Sequence, residues 1–193
     1  GVRVEINAAG TGIDVINEVS AGRSGALTIE EVTGTNLTAT ALGIRTFAAT
    51  TRIADFNDGK GVQIVDGRTN PTTGAIDPAL NTDFQIHLGN GSSFTVDLRP
   101  QDMTTVQSII NRINAEAAAA GIPTTDFQAT LLDGANGIAL VQNSAFTNPV
   151  SVERLNNSLA GEQLGFTAGT WDAANSRLMG QDRARVRVDR SEE

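Results

Sequence analysis

The chain has 193 residues, a formal net charge of −8, 39% hydrophobic residues and 19% charged residues. That composition suits a folded globular chain and argues against a nucleic-acid surface, which needs clustered Lys or Arg. There is no cysteine, which excludes disulfides, thiolate metal sites and a cysteine nucleophile.

The first strand is predicted at Val2, Val4 and Ile6, which alternate with Arg3 and Glu5. Gly10-Thr11-Gly12 reads as a turn into a return strand at Ile13 and Val15. A loop follows at Gly22 to Gly25, then a strand at Leu27 and Ile29, and Ala41-Leu42-Gly43-Ile44 closes this first segment. Phe47 to Lys60 reads as a connector with a turn at Asn57-Asp58-Gly59. Val62, Ile64 and Val65 predict a short strand, and Asp66 to Leu80, with two Gly and two Pro, an irregular surface excursion.

Phe84, Ile86 and Leu88 alternate with Gln85 and His87, and Phe94, Val96 and Leu98 alternate again after Gly89-Asn90-Gly91. This predicts a β-hairpin with an Asn-Gly turn. Val106, Ile109, Ile110, Ile113 and Ala117 then fall at helical spacing, predicting one strong amphipathic helix over 104–120. Thr104 and Gln107 form a candidate capping box, and Gly121 and Pro123 end the helix. Its stripe is expected to cover a sheet. Phe127, Ala129 and Leu131 predict a strand, turns follow at Asp133-Gly134 and Asn136-Gly137, and Ile138 to Val141 predicts the return. Val150 and Val152 open a third strand, and Gln163-Leu164-Gly165-Phe166 closes the segment. Thr167 to Asn175 reads as loop anchored by Trp171, Leu178 to Val188 as a final strand, and Ser191 to Glu193 as a frayed end.

In order, these residues form a hairpin ending Phe94-Thr95-Val96-Asp97-Leu98, a Thr-led helix ending Ile113-Asn114, paired strands and a closing Leu164-Gly165. The set resembles the flagellin hook IN motif of bacterial flagellar hook-associated proteins, the filament cap protein and some flagellins. The resemblance covers residues 84–166 and part of the N-terminal third; no single residue is diagnostic, and the order carries it. A repeat is visible inside the chain: Val2 aligns with Phe127, Ile6 with Leu131, Gly12-Ile13 with Gly137-Ile138, Leu27-Thr28-Ile29 with Val150-Ser151-Val152, and Leu42-Gly43-Ile44 with Leu164-Gly165-Phe166. The expected fold is therefore α+β, dominated by antiparallel strands, with two IN-type modules of which the first lacks its helix. The expected divisions are a truncated module at 1–46, a connector at 47–82, a complete module at 83–167 and a C-terminal loop and strand at 168–193. The missing hairpin and helix are expected before Gly1, and the connector or the C-terminal strand is expected to cover the first module's apolar face.

Each candidate for chemistry has a plainer reading. His87, the one histidine, is expected to point outward beside Gln85, a solvated residue rather than a metal ligand or catalytic base. Gly10-Thr11-Gly12 and Gly59-Lys60-Gly61 fit no Walker pattern and read as turns. Asp55, Asn57 and Asp58 look like a piece of a calcium loop without its bidentate glutamate. Arg183, Arg185, Arg187 and Arg190 alternate with apolar residues and read as the wet face of a strand rather than a polyanion site. Trp171 is the one aromatic that could serve a carbohydrate- or surface-binding β module, but a lone Trp more often anchors a loop.

The resemblance implies a structural part of the bacterial flagellum: the surface-exposed middle domain of a hook-associated, hook–filament junction protein, with the cap protein and flagellin as alternatives. It implies no enzymatic activity, no catalytic residues, no cofactor and no metal. It also implies an extracellular location reached by the flagellar type III route without a cleaved signal peptide. The partners implied are other flagellar axial proteins, engaged through terminal coiled-coil helices absent from this chain. No nucleic acid or membrane insertion is expected, since no apolar run is long enough to span a bilayer. Without a heptad seam the chain is expected to be monomeric, with an exposed edge at Val2–Ile6 as its weak point.

Overall fold

The computed structural model describes residues 2–6, 13–17, 29, 38–42, 44–132 and 135–184. In chain order the elements are β1 (Val2–Ile6), β2 (Ile13–Asn17), α1 (Thr38–Ala41), α2 (Phe56–Gly59), α3 (Pro78–Asn81), β3 (Phe84–His87), β4 (Ser93–Val96), α4 (Val106–Ala119), β5 (Phe127–Leu131), β6 (Ile138–Gln142), β7 (Ser151–Arg154), α5 (Ala160–Gln163), β8 (Thr170–Asp172) and β9 (Arg177–Met179). Single 3-10 turns lie at Ile53–Asp55 and Pro100–Asp102. Among the described residues all strand pairing is antiparallel, in three sheets ordered β1-β2, β4-β3-β7 and β5-β6-β9-β8. The fold is α+β and rich in antiparallel strands, as expected from the alternating patterns.

The core forms where those patterns agree. Phe84, Ile86 and Leu88 face inward opposite Phe94, Val96 and Leu98, and all six are buried. The α4 stripe buries Val106, Ile109, Ile110, Ile113 and Ala117. Each Val or Ile so buried contributes roughly 1.5–3 kcal/mol of transfer free energy. The helix packs on both β4 and β5, so one stripe closes two sheets. An edge-to-face contact between Phe94 and Phe127, centroids 5.0 Å apart, joins the same two sheets.

Several local expectations shift. The helix starts at Val106 with Thr105 as N-cap, whose hydroxyl accepts from the Ser108 amide at 3.3 Å. Thr104 instead bonds the Ser108 hydroxyl, and Gln107 donates to Asn111 Oδ1, so the expected capping box does not form. Tertiary contacts move the cap: the Val106 and Gln107 amides donate to the Thr51 and Ala49 carbonyls. At the other end Gly121 adopts φ +77°, as its position implied. The β3–β4 hairpin turns at Gly89-Asn90-Gly91, as expected, and the structure gives the loop type. The Gly91 amide closes a turn onto the Leu88 carbonyl, Gly91 alone takes positive φ, and Leu88 and Ser92 resume the ladder. That is the three-residue loop with a glycine bulge.

The 62–65 stretch joins no ladder. It is held by side chains, the Gln63 amide donating to Gln163 Oε1 and the Val65 amide to Asp83 Oδ1. The region read as a connector supplies Phe47, Ile53 and Phe56 to the main core. Residues 170–172, read as loop, form β8 and pair with β9. The final strand is shorter than expected, ending at Met179, with Ala184 making only an isolated bridge to Phe56. β7 leaves its sequence neighbours β5 and β6 and pairs with β3, so the 83–167 segment is shared between two sheets. The Gly10–Gly12, Gly22–Gly25 and Asp133-Gly134 turns, the 27–28 part of the early strand, Arg185, Arg187, Arg190 and the 191–193 end lie outside the described residues; Ile29 is not in a strand.

The aligned segments show matching local geometry. β1 pairs with β2 from Val2↔Asn17 to Ile6↔Ile13, and β5 with β6 from Phe127↔Gln142 to Leu131↔Ile138, step for step and with loops of equal length. The closing turns match as well. After α1 the Leu42 and Ile44 amides donate to the Thr38 and Ala39 carbonyls; after α5 the Leu164 and Phe166 amides donate to those of Ala160 and Gly161. The surroundings differ. Phe127, Ala129, Ile138 and Leu140 are buried, whereas Val2, Val4 and Ile6 are 58%, 63% and 74% exposed. Among the described residues, neither the 47–80 stretch nor β9 covers that face, where cover by the connector or the C-terminal strand was expected. Both are drawn into the main core instead, through Phe47, Ile53, Phe56 and Leu178.

Candidate functional site

The most densely bonded polar groups in the described residues hold elements together. Ile113 is fully buried on the inner face of α4, and Asn114 sits beside it on the side facing β5. The Asn114 amide grips one residue of that strand twice: Nδ2 donates to the Ala129 carbonyl at 2.9 Å and Oδ1 accepts from the Ala129 amide at 2.7 Å. β5 is a sheet edge, so its outward amides and carbonyls need a partner. The side chain of Asn114 completes the ladder for one residue where a further strand would have done so. Ile113 and Asn114 thus act as a pair, one filling the core and the other locking the helix to the strand edge.

A second centre is Asp83, which no sequence pattern marked. It is fully buried at the start of β3. Oδ1 accepts from the Val65 amide at 2.8 Å and the Ser158 hydroxyl at 2.6 Å, and Oδ2 from the Leu98 amide at 2.8 Å. Its backbone extends both sides of the sheet, the amide donating to the Val96 carbonyl and the carbonyl accepting from the Leu155 amide. Burial pushes its carboxyl above the usual carboxylate range, opposed by the hydrogen bonds from Ser158, Val65 and Leu98. A lone aspartate before a strand gives no sequence signal, because its partners come from three distant segments.

Other polar residues play similar parts. Gln142 is buried, and it accepts from the Gly89 amide at 2.8 Å and donates to the Asn148 carbonyl at 2.7 Å, tying the β3–β4 loop to β6. Arg45 donates to the Leu132 carbonyl at 2.7 Å, to the Ala135 carbonyl and to Asn136 Oδ1, while Asn136 donates to Thr46 Oγ1 at 2.9 Å. Arg112 lies among acids: Glu116 at 2.5 Å, Asp97 at 3.4 Å and Asp102 at 3.6 Å, with a further bond to the Asp97 carbonyl.

The residues singled out from sequence do not converge on one place. His87 lies on the outer face of the β4-β3-β7 sheet beside Gln85, as alternation implied, and its Nε2 is 3.1 Å from Glu153 on β7. Asn57 adopts φ +55° and its amide donates to the Gly61 and Gln163 carbonyls, so it presents hydrogens rather than an oxygen on that side. Gly59-Lys60-Gly61 closes α2, the Gly61 amide donating to the Phe56 carbonyl. Trp171 lies half-buried on β8 opposite Leu178 and packs against the core. The Arg183 carbonyl accepts from the Asn57 amide, in a segment that meets α2 rather than forming a strand face. Among the described residues no group of His, Asp or Glu is arranged to hold a metal ion, and no helix is long and apolar enough to cross a membrane. No family model, curated protein or solved structure matches this chain.

Proposed function

We propose that this chain is a structural part of the bacterial flagellum, the surface-exposed middle domain of a hook-associated protein, with the hook–filament junction protein as first choice. The observation that supports the reading most is the Ile113-Asn114 pair. These two residues belong to the ordered set that carries the resemblance, they lie within α4, and their mechanical roles are separate. Ile113 fills the core, and Asn114 bonds both backbone groups of Ala129. A polar network directed at the chain's own backbone stiffens a domain, the property a surface module under mechanical load needs. In this reading the chain is not an enzyme, and its partners are other axial proteins joined through helices outside this chain. It works outside the cell, after type III export. The carbohydrate-binding alternative draws no support from Trp171, whose ring packs against the core.

Immunogold labelling of the organism that carries the gene, with antibodies raised to this chain, tests the proposal. A short band of gold where hook meets filament is the expected result. Label along the filament or at its tip would reassign the chain to flagellin or the cap protein, and unlabelled flagella on cells expressing the protein would reject the flagellar reading.

A further inference from the structure

The β1–β2 hairpin is amphipathic. Cross-strand partners share a face, so Val2, Val4, Ile6, Ile13 and Val15 lie together, with Arg3, Glu5 and Asp14 on the other side. Val2, Val4 and Ile6 are more than half exposed and Ile13 is 39% exposed. A cleft of about 250 Å³ opens beside β2, lined by the Ile13-Asp14-Val15 segment, Ile29, Ile44 and the Arg45-Thr46 segment. An isolated two-stranded hairpin is marginal in water, and an apolar face of this kind marks an interaction surface.

The second hairpin supplies the identity of the cover. In matching register, Val2, Val4, Ile13 and Val15 correspond to Phe127, Ala129, Ile138 and Leu140, which are buried. The cleft residues Ile29 and Ile44 correspond to Val152 and Phe166, which belong to or pack on the main core. What packs along β5 is α4, through a Val, Ile and Ala stripe and the Asn114 bonds to Ala129. We infer that the β1–β2 face and its cleft are a docking seat for one amphipathic α-helix of the α4 type, with an apolar stripe of Val, Ile and Ala and an asparagine aimed at the backbone of Val4. The inference rests on the internal correspondence and stands apart from the flagellar reading.

The test uses the whole chain and a peptide of its own residues 104–121. An isolated helix of this length is marginal. The peptide therefore carries Arg112→Lys and is held helical by a lactam joining that side chain to Glu116 on its polar face. Calorimetry and amide hydrogen exchange are read together. The expected result is saturable one-to-one binding that slows exchange in 2–6 and 13–17. Val4→Asp should weaken it about tenfold or more, because a carboxylate would be buried in the interface. Arg3→Ala, on the opposite face, should bind as the unaltered chain does. Unchanged exchange in both strands at millimolar peptide would overturn the inference, as would binding that survives Val4→Asp. A dimer of the chain alone that Val4→Asp abolishes would also overturn it, making the occupant a second copy.

Discussion

Replacing Asp83 probes whether one buried carboxylate holds the second half of the fold together. In Asp83→Ala, the Val65 and Leu98 amides lose their acceptor, and the Ser158 hydroxyl, which still accepts from the Ala160 amide, is left with only the Gln63 carbonyl at 3.5 Å to donate to. A buried unsatisfied donor costs about 1–3 kcal/mol, so two amides and a small cavity predict a loss of about 4 kcal/mol. At this chain length that lowers Tm by on the order of 10 °C. Asp83→Asn keeps the shape and one acceptor. With its oxygen toward Val65 and Ser158, its NH2 meets the Leu98 amide, donor against donor. It also removes the cost of burying a charge, so the predicted loss is smaller, about 2 kcal/mol at neutral pH. The pH dependence gives a second reading. The folded carboxyl holds its proton to higher pH than the unfolded chain. Its contribution is therefore complete below the unfolded value near 3.8 and fades as pH rises through the folded pKa. The stability difference between the parent and Asp83→Asn should widen as the pH falls through that window. Thermal and urea unfolding at several pH values measure both effects. An Asp83→Asn chain as stable as the parent at neutral pH would refute the reasoning, because the Leu98 amide would then not depend on the carboxylate.

Other substitutions test single contacts. Ile110→Asp should destabilise by roughly 3 kcal/mol or more by burying an unpaired charge, while Asn111→Asp on the exposed face should cost little; equal urea midpoints would disprove the assignment of faces. Asn114→Ala should cost about 2 kcal/mol, with faster amide exchange at Ala129, since both backbone bonds disappear; undisturbed exchange there would show that the clamp is dispensable. Gly165→Ala should be severe. The residue sits at φ +87°, and a Cβ there would lie 2.1 Å from the Gln181 carbonyl oxygen. A variant that melts with the parent would show that the 180–181 segment does not pass Gly165 at this distance.

Periodicity was enough to place the elements of the second unit. Strand alternation at 84–88 and 94–98 and helical spacing at 106–117 are local properties, and each buries the residues its pattern marked. The internal alignment was legible for the same reason, since hairpins with equal loops and the same alternation have little freedom in register. What alternation cannot say is which strand lies beside which. β7 pairs with β3, and β8 with β9 extends β6, because sheet edges are filled by whichever strand the closed core brings near. The polar centres were hidden for a related reason. Asp83 takes its donors from Val65, Leu98 and Ser158, and Asn114 meets Ala129 across the helix–sheet packing. A side chain's hydrogen bonds depend on distances in space, which spacing along the chain does not encode. Even the helix start moved by this route, when the Thr51 and Ala49 carbonyls took the first amides of α4. Alternation and helical spacing marked the faces that the 84–98 hairpin, α4 and the β5–β6 pair bury, while the loss of the 62–65 strand, the gain of β8, the choice of strand neighbours and the open β1–β2 face came from packing between distant segments, which no local pattern encodes.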